Sequence, residues 1–181
     1  NVSAKVSEHG VVRYFDTWLL DGQARRLQLV DLATKKTTDL TPRQERRFTY
    51  SDSVTYDVSP DGKWIALAAA TNPPPFRDNE NRDVYLVSVE RPDAPWKNLT
   101  TDNPNSDDNH RFSPDGRTLL FGRGVRARGL SEQTRLMRVE LATGRITRLA
   151  AAADLAPQDW EFSDDGKTVF FRAEDRGRTK I

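Results

Sequence analysis

Cysteine is absent from the chain. Its absence excludes a disulfide framework, catalysis by a thiolate and zinc sites built on cysteine. The sequence also lacks an apolar run of about 18 residues, the length that a membrane-spanning helix needs. Residues 1–10 lack the apolar core of a secretory signal. We therefore expect no membrane partner.

The chain also lacks an excess of charge of one sign. Its 181 residues include 28 Lys and Arg and 27 Asp and Glu, for a net charge of +1. A protein that binds nucleic acid usually concentrates positive charge on one face, whereas here Lys and Arg are spread along the chain and matched by Asp and Glu. Hydrophobic residues make up 36% and charged residues 30%, a composition typical of a folded globular protein. We expect no nucleic-acid partner.

An internal repeat is the main feature that is present. Three segments align without gaps, and each contains Ser-x-Asp-Gly, with turn aspartates Asp61, Asp115 and Asp165 spaced 54 and 50 positions apart. Asp-Gly between two apolar runs predicts a hairpin, because Gly adopts positive φ without strain and Asp can bond its own backbone. The segments are YDVSPDGKWIALAA (56–69), HRFSPDGRTLLFGR (110–123) and WEFSDDGKTVFFRA (160–173).

A second set of segments follows the same period. Each predicts a strand, a polar turn and a short strand that ends at Leu40, Leu99 or Leu149. Together with the first set, this gives units of four strands, A to D, repeated about every 50 residues. The segments are RLQLVDLATKKTTDLT (26–41), VYLVSVERPDAPWKNLT (84–100) and RLMRVELATGRITRLA (135–150).

The repeat predicts an all-β fold, a β-propeller of four-stranded antiparallel blades of which about three to four are present. Strand B is apolar on both faces, as a strand buried on both sides requires. A β-sandwich is the alternative fold. The expected division of the chain, as one partial propeller, is a part-blade at 1–41, blades at 54–100 and 107–150, and a part-blade at 159–181.

Loop length predicts which face of the propeller carries function. The A–B and C–D turns are short and lie on one face, and the B–C and D–A connections are long and lie on the other. Long loops on a rigid scaffold are the usual place for binding. The start of strand A opens onto this long-loop face, and the candidate residues there are Glu80, Asp83, Asp108, His110 and Asp159.

The SPDG-type repeat resembles the WD40-like propeller repeats of TolB and of serine peptidases of the prolyl oligopeptidase family (S9). Two further strings resemble bacterial dipeptidyl-peptidase and acylaminoacyl-peptidase propellers, VRYFDTWLLDG (12–22) and FRAEDRGRTKI (171–181). The stretch NPPPFRDNEN (72–81) departs from the Trp- and Asn-containing pattern of those peptidases. The resemblance covers nearly the whole chain and implies a non-catalytic propeller portion that gates access and helps to position peptide substrates. A TolB-like protein-interaction propeller is the alternative function.

The resemblance implies catalysis by a Ser-Asp-His triad in a separate α/β-hydrolase domain, through which the peptide substrate would be a partner. This chain has no Gly-x-Ser-x-Gly elbow, because Gly129-Leu130-Ser131 continues as Glu132-Gln133. We expect no catalytic residue, no metal and no cofactor in it. In one branch of the family, propeller carboxylates bind the amino end of a peptide, and Asp108, Glu80 and Asp83 are candidates for that role by position.

The same residues also have simpler interpretations. Asp108 and Asp159 could bond backbone amides at the loop ends, Glu80 could be solvated and His110 could line the channel. An incomplete propeller would expose two blade flanks, through which the chain could associate with itself. The compartment stays open between periplasm and cytoplasm of a bacterium, with a slight preference for the periplasm.

Overall fold

The structure is a computed structural model. The residues that it describes are 13–14, 17–18, 26–42, 48, 55–71, 81–125, 133–151, 155–175 and 178–181. Within these ranges every regular element is a β-strand and none is a helix. The described part therefore confirms the predicted all-β class.

Fifteen strands in the described ranges are arranged as antiparallel meanders. β1 (Arg13–Tyr14) and β2 (Thr17–Trp18) form a short hairpin, and β3 (Gln28–Val30) and β4 (Thr37–Asp39) form sheet 1. Sheet 2 consists of β5 (Tyr56–Val58), β6 (Trp64–Ala70), β7 (Arg82–Ser88) and β8 (Lys97–Asn98). Sheet 3 consists of β9 (Asp107–Phe112), β10 (Thr118–Gly124), β11 (Thr134–Glu140) and β12 (Ile146–Arg148). Sheet 4 consists of β13 (Gln158–Phe162), β14 (Val169–Asp175) and β15 (Arg178–Lys180).

The Ser-x-Asp-Gly turns have the same hydrogen bonds in all three positions. In the first, the Ser59 hydroxyl donates to Asp61 at 2.6 Å and accepts the backbone N–H of Trp64 at 2.9 Å. Asp61 also accepts the N–H of Lys63 at 3.1 Å, and Gly62 takes the left-handed φ of +69° that closes the turn. These bonds hold the pKa of Asp61 below its ordinary value. The turns at 113–116 and 163–166 repeat this arrangement.

Neighbouring sheets pack face to face through apolar cores. Five residues of β6 are buried, at positions 65–69, which confirms that this strand is covered on both sides. One face of β6 packs with sheet 3, and the other packs with residues before sheet 2 such as Leu27 and Phe48. Sheets 3 and 4 share a third cluster around Leu120, Leu136 and Trp160. This stacking of sheets, each covered by the next, is the packing of consecutive propeller blades.

A Thr hydroxyl closes the long-loop end of two sheets. In sheet 2, Thr100 Oγ1 accepts the N–H of Val84 at 3.1 Å, and Asn98 Oδ1 accepts the N–H of Thr100 at 2.9 Å. In sheet 1, Thr41 and Asp39 make the equivalent bonds. The sequence identified the Leu-Thr pairs at 40–41 and 99–100 only as the end of strand D. In the structure, the Thr of each pair ties strand D back to the start of strand C.

The structure differs from the expected strands at both ends. Within the expected part-blade at 1–41, residues 13–14 pair with 17–18 as a hairpin, which the repeat did not predict. A third strand at 178–180 extends sheet 4 and was not predicted. The division of the chain into blades stays a prediction.

Candidate functional site

A pocket of about 340 Å³ lies at the long-loop end of the sheets. It is built mainly from the start of β9, the end of β10 and the start of β13, with Arg82 added from the start of β7. Residues of three consecutive sheets therefore converge on one cavity. Its lining consists of Arg82, Ser106, Asp108, Asn109, Gly122, Gly124, Thr134, Pro157, Gln158, Asp159 and Trp160.

Two matching β-bulges shape this pocket. Asn109 in β9 and Asp159 in β13 occupy the same position in the repeat and take left-handed φ values of +52° and +45°. In sheet 3 the pairing of β9 with β10 shifts register between Leu120 and Gly122. In sheet 4 the pairing of β13 with β14 shifts register between Gln158 and Glu161. Such bulges re-aim side chains next to binding sites, and Asn and Asp tolerate this backbone conformation better than most residues.

A glycine lets the two sheets approach each other beneath the pocket. A Cβ atom on Gly122 would lie 2.7 Å from the Trp160 ring and 2.7 Å from Thr134 Cγ2. Both distances are shorter than van der Waals contact, so only glycine fits. Trp160 is almost fully buried, and it closes the apolar side of a cavity whose other groups are polar.

Each carboxylate in the lining has an arginine partner. Arg82 contacts Asp108 at 2.8 Å across the boundary between sheets 2 and 3, and Asp108 also accepts the N–H of Asn109. Arg172 contacts Asp159 at 2.5 Å within sheet 4, but these side chains are 49% and 66% exposed. An ion pair so open to solvent contributes little to stability. Of the two carboxylates, Asp159 therefore loses less stabilisation than Asp108 when it binds a cationic ligand in place of its arginine.

His110 lies behind the pocket wall and not in the lining. It is fully buried, and burial lowers its pKa to about 4, against the opposing influence of the Asp108 and Asp57 carboxylates. The backbone of Ala66 also favours the charged form, although neither ring nitrogen meets the geometry of a hydrogen bond. The imidazole is therefore neutral at pH 7 and bonds no hydroxyl that it could activate.

Asp83 and Asp107 are buried side by side in a polar network behind the same wall. Asn98 Nδ2 donates to Asp83 at 2.6 Å, and Asn103 Nδ2 donates to Asp107 at 2.9 Å. Thr100 also donates a side-chain hydrogen bond to Asp107. Burial, opposed by Arg123 and assisted by the charge of Asp83, raises the pKa of Asp107 to about 6.

Arg123 ties the loop between sheets 2 and 3 to the end of β10. Its guanidinium donates two hydrogen bonds to Asp102, at 2.9 and 2.7 Å, and its Nε lies 3.4 Å from Asp107. It also lies 5.5 Å from the centre of the Phe121 ring, within range for a cation–π contact. Because this loop leads into Ser106 and Asp108, Arg123 fixes one wall of the pocket.

The structure brings together two of the five candidate residues. Asp108 and Asp159 line the pocket, whereas Asp83 and His110 are buried behind it, and Glu80 lies outside the described residues. The sequence did not indicate two further residues of the lining, Asn109 and Arg82. The signal for Asn109 was an Asn or Asp directly before the first large residue of strand A. The signal for Arg82 was an Arg at the start of strand C, in the unit before an acidic start of strand A.

The arrangement can bind a small polar ligand. Within the described ranges no three His, Cys, Asp or Glu side chains are grouped to hold a metal ion. No helix in that part of the chain is long and apolar enough to cross a membrane. The pocket offers carboxylate, guanidinium, amide and hydroxyl groups beside an indole, and such groups can orient a polar ligand.

Comparison of the sequence with curated proteins finds fungal peptidases. The chain is 25% identical over 195 residues to a probable dipeptidyl-peptidase 5 of Emericella nidulans, a match that covers 97% of this chain and 26% of that protein. It is 29% identical over 136 residues to a probable dipeptidyl-peptidase 5 of Aspergillus niger, covering 70% of this chain and 18% of that protein. The chain thus spans about a quarter or less of the relatives' length. No family model matches it.

Comparison with solved structures supports the fold. The tricorn protease superimposes with a TM-score of 0.58 at 14% identity, over 83% of this chain and 13% of that one. Hydrazine synthase of Kuenenia stuttgartiensis superimposes with a TM-score of 0.50 at 14% identity, over 81% of this chain and 42% of that one. Together with the stacked antiparallel sheets, these likenesses identify the chain as part of a β-propeller.

Proposed function

We propose that this chain is the propeller portion of a serine peptidase of the prolyl oligopeptidase type, and that its long-loop face restricts access and positions peptide substrates. The similarity to dipeptidyl-peptidase 5 extends over nearly the whole chain, which supports the proposal. The bacterial origin that the resemblance implies stays a prediction, because the matched relatives are fungal. Hydrolysis belongs to an α/β-hydrolase domain that this chain does not contain.

The pocket between β9, β10 and β13 is the observation that carries the proposal. Its volume of about 340 Å³ lies at the lower end of the range for small-ligand sites, roughly 300–1,000 Å³, and suits one or two residues of a peptide. Asp159 and Asp108 can accept hydrogen bonds from an ammonium group or from main-chain N–H groups. Arg82, Asn109 and Gln158 can donate to peptide carbonyl oxygens.

Direct titration of peptides tests this role. Calorimetry of the chain with alanyl-alanine amide should show weak binding, and Asp159→Asn should weaken it roughly 5-fold, as expected for loss of one exposed charged contact. Asp93→Asn is the matched control, since Asp93 is exposed in the turn before β8. Equal affinities for the parent chain and the Asp159→Asn variant would remove the pocket from the proposed function.

The peptidase assignment has a separate test. The coding sequence that follows residue 181 should encode a domain with a Gly-x-Ser-x-Gly elbow. The 181-residue chain by itself should release no product from dipeptidyl or acyl-peptide substrates. A stop codon directly after Ile181, or turnover by the chain itself, would contradict the assignment; capture of a protein partner without peptide binding would favour the TolB-like alternative.

A further inference from the structure

Two side-chain N–H groups of the pocket are shielded from solvent and have no hydrogen-bond acceptor. They are Nε1 of Trp160 and Nε of Arg82, and both residues belong to the lining. Trp160 is only 3% exposed, so bulk water does not satisfy its indole N–H. Indole N–H groups that are buried in proteins usually have a hydrogen-bond partner. The pocket therefore has two donors that a ligand can satisfy.

The edge of the indole that carries Nε1 lies beside the pocket. Cη2 and Cζ2 of Trp160 would be 2.7 and 3.2 Å from a Cβ atom on Gly122, and Gly122 is itself part of the lining. Nε1 and Cζ2 are bonded to the same ring carbon, Cε2, so the donor is on the edge that meets Gly122. A side chain at position 122 would occupy the space beside this edge, so the glycine keeps the donor side of the indole next to the pocket.

The carboxylates of the lining, in contrast to these donors, already have partners. Asp108 lies 2.8 Å from Nη2 of Arg82, and Asp159 lies 2.5 Å from Nη2 of Arg172. Arg82 thus uses one nitrogen for Asp108, while its Nε has no acceptor. A ligand that brings an oxygen acceptor gains hydrogen bonds to unmatched donors, whereas an ammonium group has to compete with an arginine for a carboxylate.

The charge of the lining favours a neutral acceptor over an anionic one. The lining contains one guanidinium, from Arg82, and two carboxylates, from Asp108 and Asp159. An anionic ligand would therefore meet an excess of negative charge, and like charges in a partly buried site repel each other. The oxygen of an amide carbonyl accepts hydrogen bonds without a net charge, and a peptide carries one at each residue.

We infer that the pocket recognises a main-chain carbonyl oxygen of its ligand, which accepts hydrogen bonds from the indole N–H of Trp160 and from the guanidinium of Arg82. The inference rests on the proposed peptide-binding role of the pocket and deepens it, because Trp160 becomes a residue that determines specificity. Peptides and other amides satisfy both donors, whereas a simple amine satisfies neither. Asp159 has the complementary role, since it accepts from N–H groups of the same ligand.

NMR of the indole N–H groups of the 181-residue chain tests the inference. Acetyl-alanine methylamide has carbonyl oxygens but no ammonium group, and it should move the Trp160 indole proton downfield as that proton gains an acceptor. Acetyl-alanine, the same molecule ending in a carboxylate, should move it less, and ethylamine should not move it. The signals of Trp64 and Trp96, which pack against apolar cores and not in the lining, are internal controls. Trp160→Phe assigns the signal, which disappears in that variant.

Two substitutions separate the donors from the shape and charge of their side chains. Replacing Trp160 with benzothienylalanine keeps the ring shape but puts sulfur in place of N–H. The affinity for acetyl-alanine methylamide should then fall roughly 5-fold, as for the loss of one hydrogen bond. Arg82→Lys keeps a positive charge beside Asp108 but removes Nε, and it should weaken binding by a similar factor. Lys167→Gln, in the exposed turn of sheet 4, is the control and should leave the affinity unchanged.

The outcomes distinguish this inference from the proposed function. If alanyl-alanine amide binds but neither it nor acetyl-alanine methylamide moves the Trp160 signal, the inference is wrong and the peptide-binding role stands. The same holds if the sulfur analogue binds the methylamide as tightly as the parent chain does. A larger shift with acetyl-alanine than with its methylamide would make the acceptor a carboxylate and would overturn the carbonyl assignment. If no peptide or amide binds, the inference and the peptide-binding role both fail.

Discussion

The ring of Pro60 packs against Gly116, with the proline Cδ 3.4 Å from where a Cβ atom on that glycine would be. Pro114 stands in the same relation to Gly166, again at 3.4 Å. The proline of one Ser-Pro-Asp-Gly turn thus rests on the glycine of the next turn. The repeat that marks each hairpin in the sequence also sets the spacing between neighbouring sheets on the short-turn face.

Gly116→Ala should destabilise the fold by about as much as Gly62→Ala. Both glycines have left-handed φ, +66° and +69°, so each substitution costs about 1 kcal/mol of backbone strain. A Cβ on Gly116 would meet Pro60 Cδ at 3.4 Å, an ordinary van der Waals contact, and nothing lies within 4 Å of a Cβ on Gly62. Urea denaturation of the two variants measures the losses, and a clearly larger loss for Gly116→Ala would mean that the turn packing does not accommodate the methyl group.

Gly122→Ala should destabilise the protein by about 1–3 kcal/mol, as overpacking of a core does. The added methyl group would lie 2.7 Å from the Trp160 ring, so sheets 3 and 4 would have to separate at the pocket. Thermal unfolding measures the loss. Adding Trp160→Leu should cost less in the Gly122→Ala background than in the parent chain, and strictly additive losses would contradict the proposed contact.

The sequence predicted the strands well where the repeat is complete. The continuous apolar runs after each Asp-Gly turn located β6 and β10, because local turn chemistry and burial on both faces agree. It did not predict the pocket, since the bulges at Asn109 and Asp159 depend on pairing with strands distant in sequence. Nor did it show that Leu-Thr at 40–41 and 99–100 closes a sheet, because the partners are amides 14 to 16 residues away.

Asp107 should make the protein more stable as the pH falls from about 6 to about 4. Its pKa is raised to about 6 in the folded chain from 3.8, so the folded state binds the proton more tightly than the unfolded state. This contribution is complete below pH 3.8 and is lost as the pH rises through 6. A shift of about two pKa units corresponds to an upper bound of about 3 kcal/mol.

Asp107→Asn removes that titration while keeping the shape of the side chain. Unfolding free energies of the parent and the variant, measured by urea denaturation between pH 4 and 7, should differ by an amount that changes mainly between pH 4 and 6. A control with Asp93→Asn, at an exposed turn, should show no such step. If the difference in unfolding free energy between parent and Asp107→Asn does not change with pH, Asp107 does not contribute to the pH dependence of stability.

His110 should act in the opposite direction over an overlapping range. Burial depresses its pKa to about 4 from 6.5, so the folded state disfavours the charged imidazole that the unfolded chain readily forms. The resulting stability is complete above pH 6.5 and is lost as the pH falls toward 4. Replacing His110 with Leu, of similar size, removes the group that must be protonated on unfolding, although it also changes the packing between β6 and β9.

The change in packing is independent of pH, so the pH dependence isolates the imidazole. Relative to the parent chain, His110→Leu should gain stability as the pH falls from 6.5 to 4, whatever its stability at pH 7. Combined with Asp107→Asn, it should leave a profile about as flat as that of the parent and flatter than that of either single variant, because two opposing titrations of similar size are then removed together. NMR titration of the His110 ring protons gives the direct check: a midpoint near 6.5 would show that the ring is solvated and would contradict its burial between the sheets.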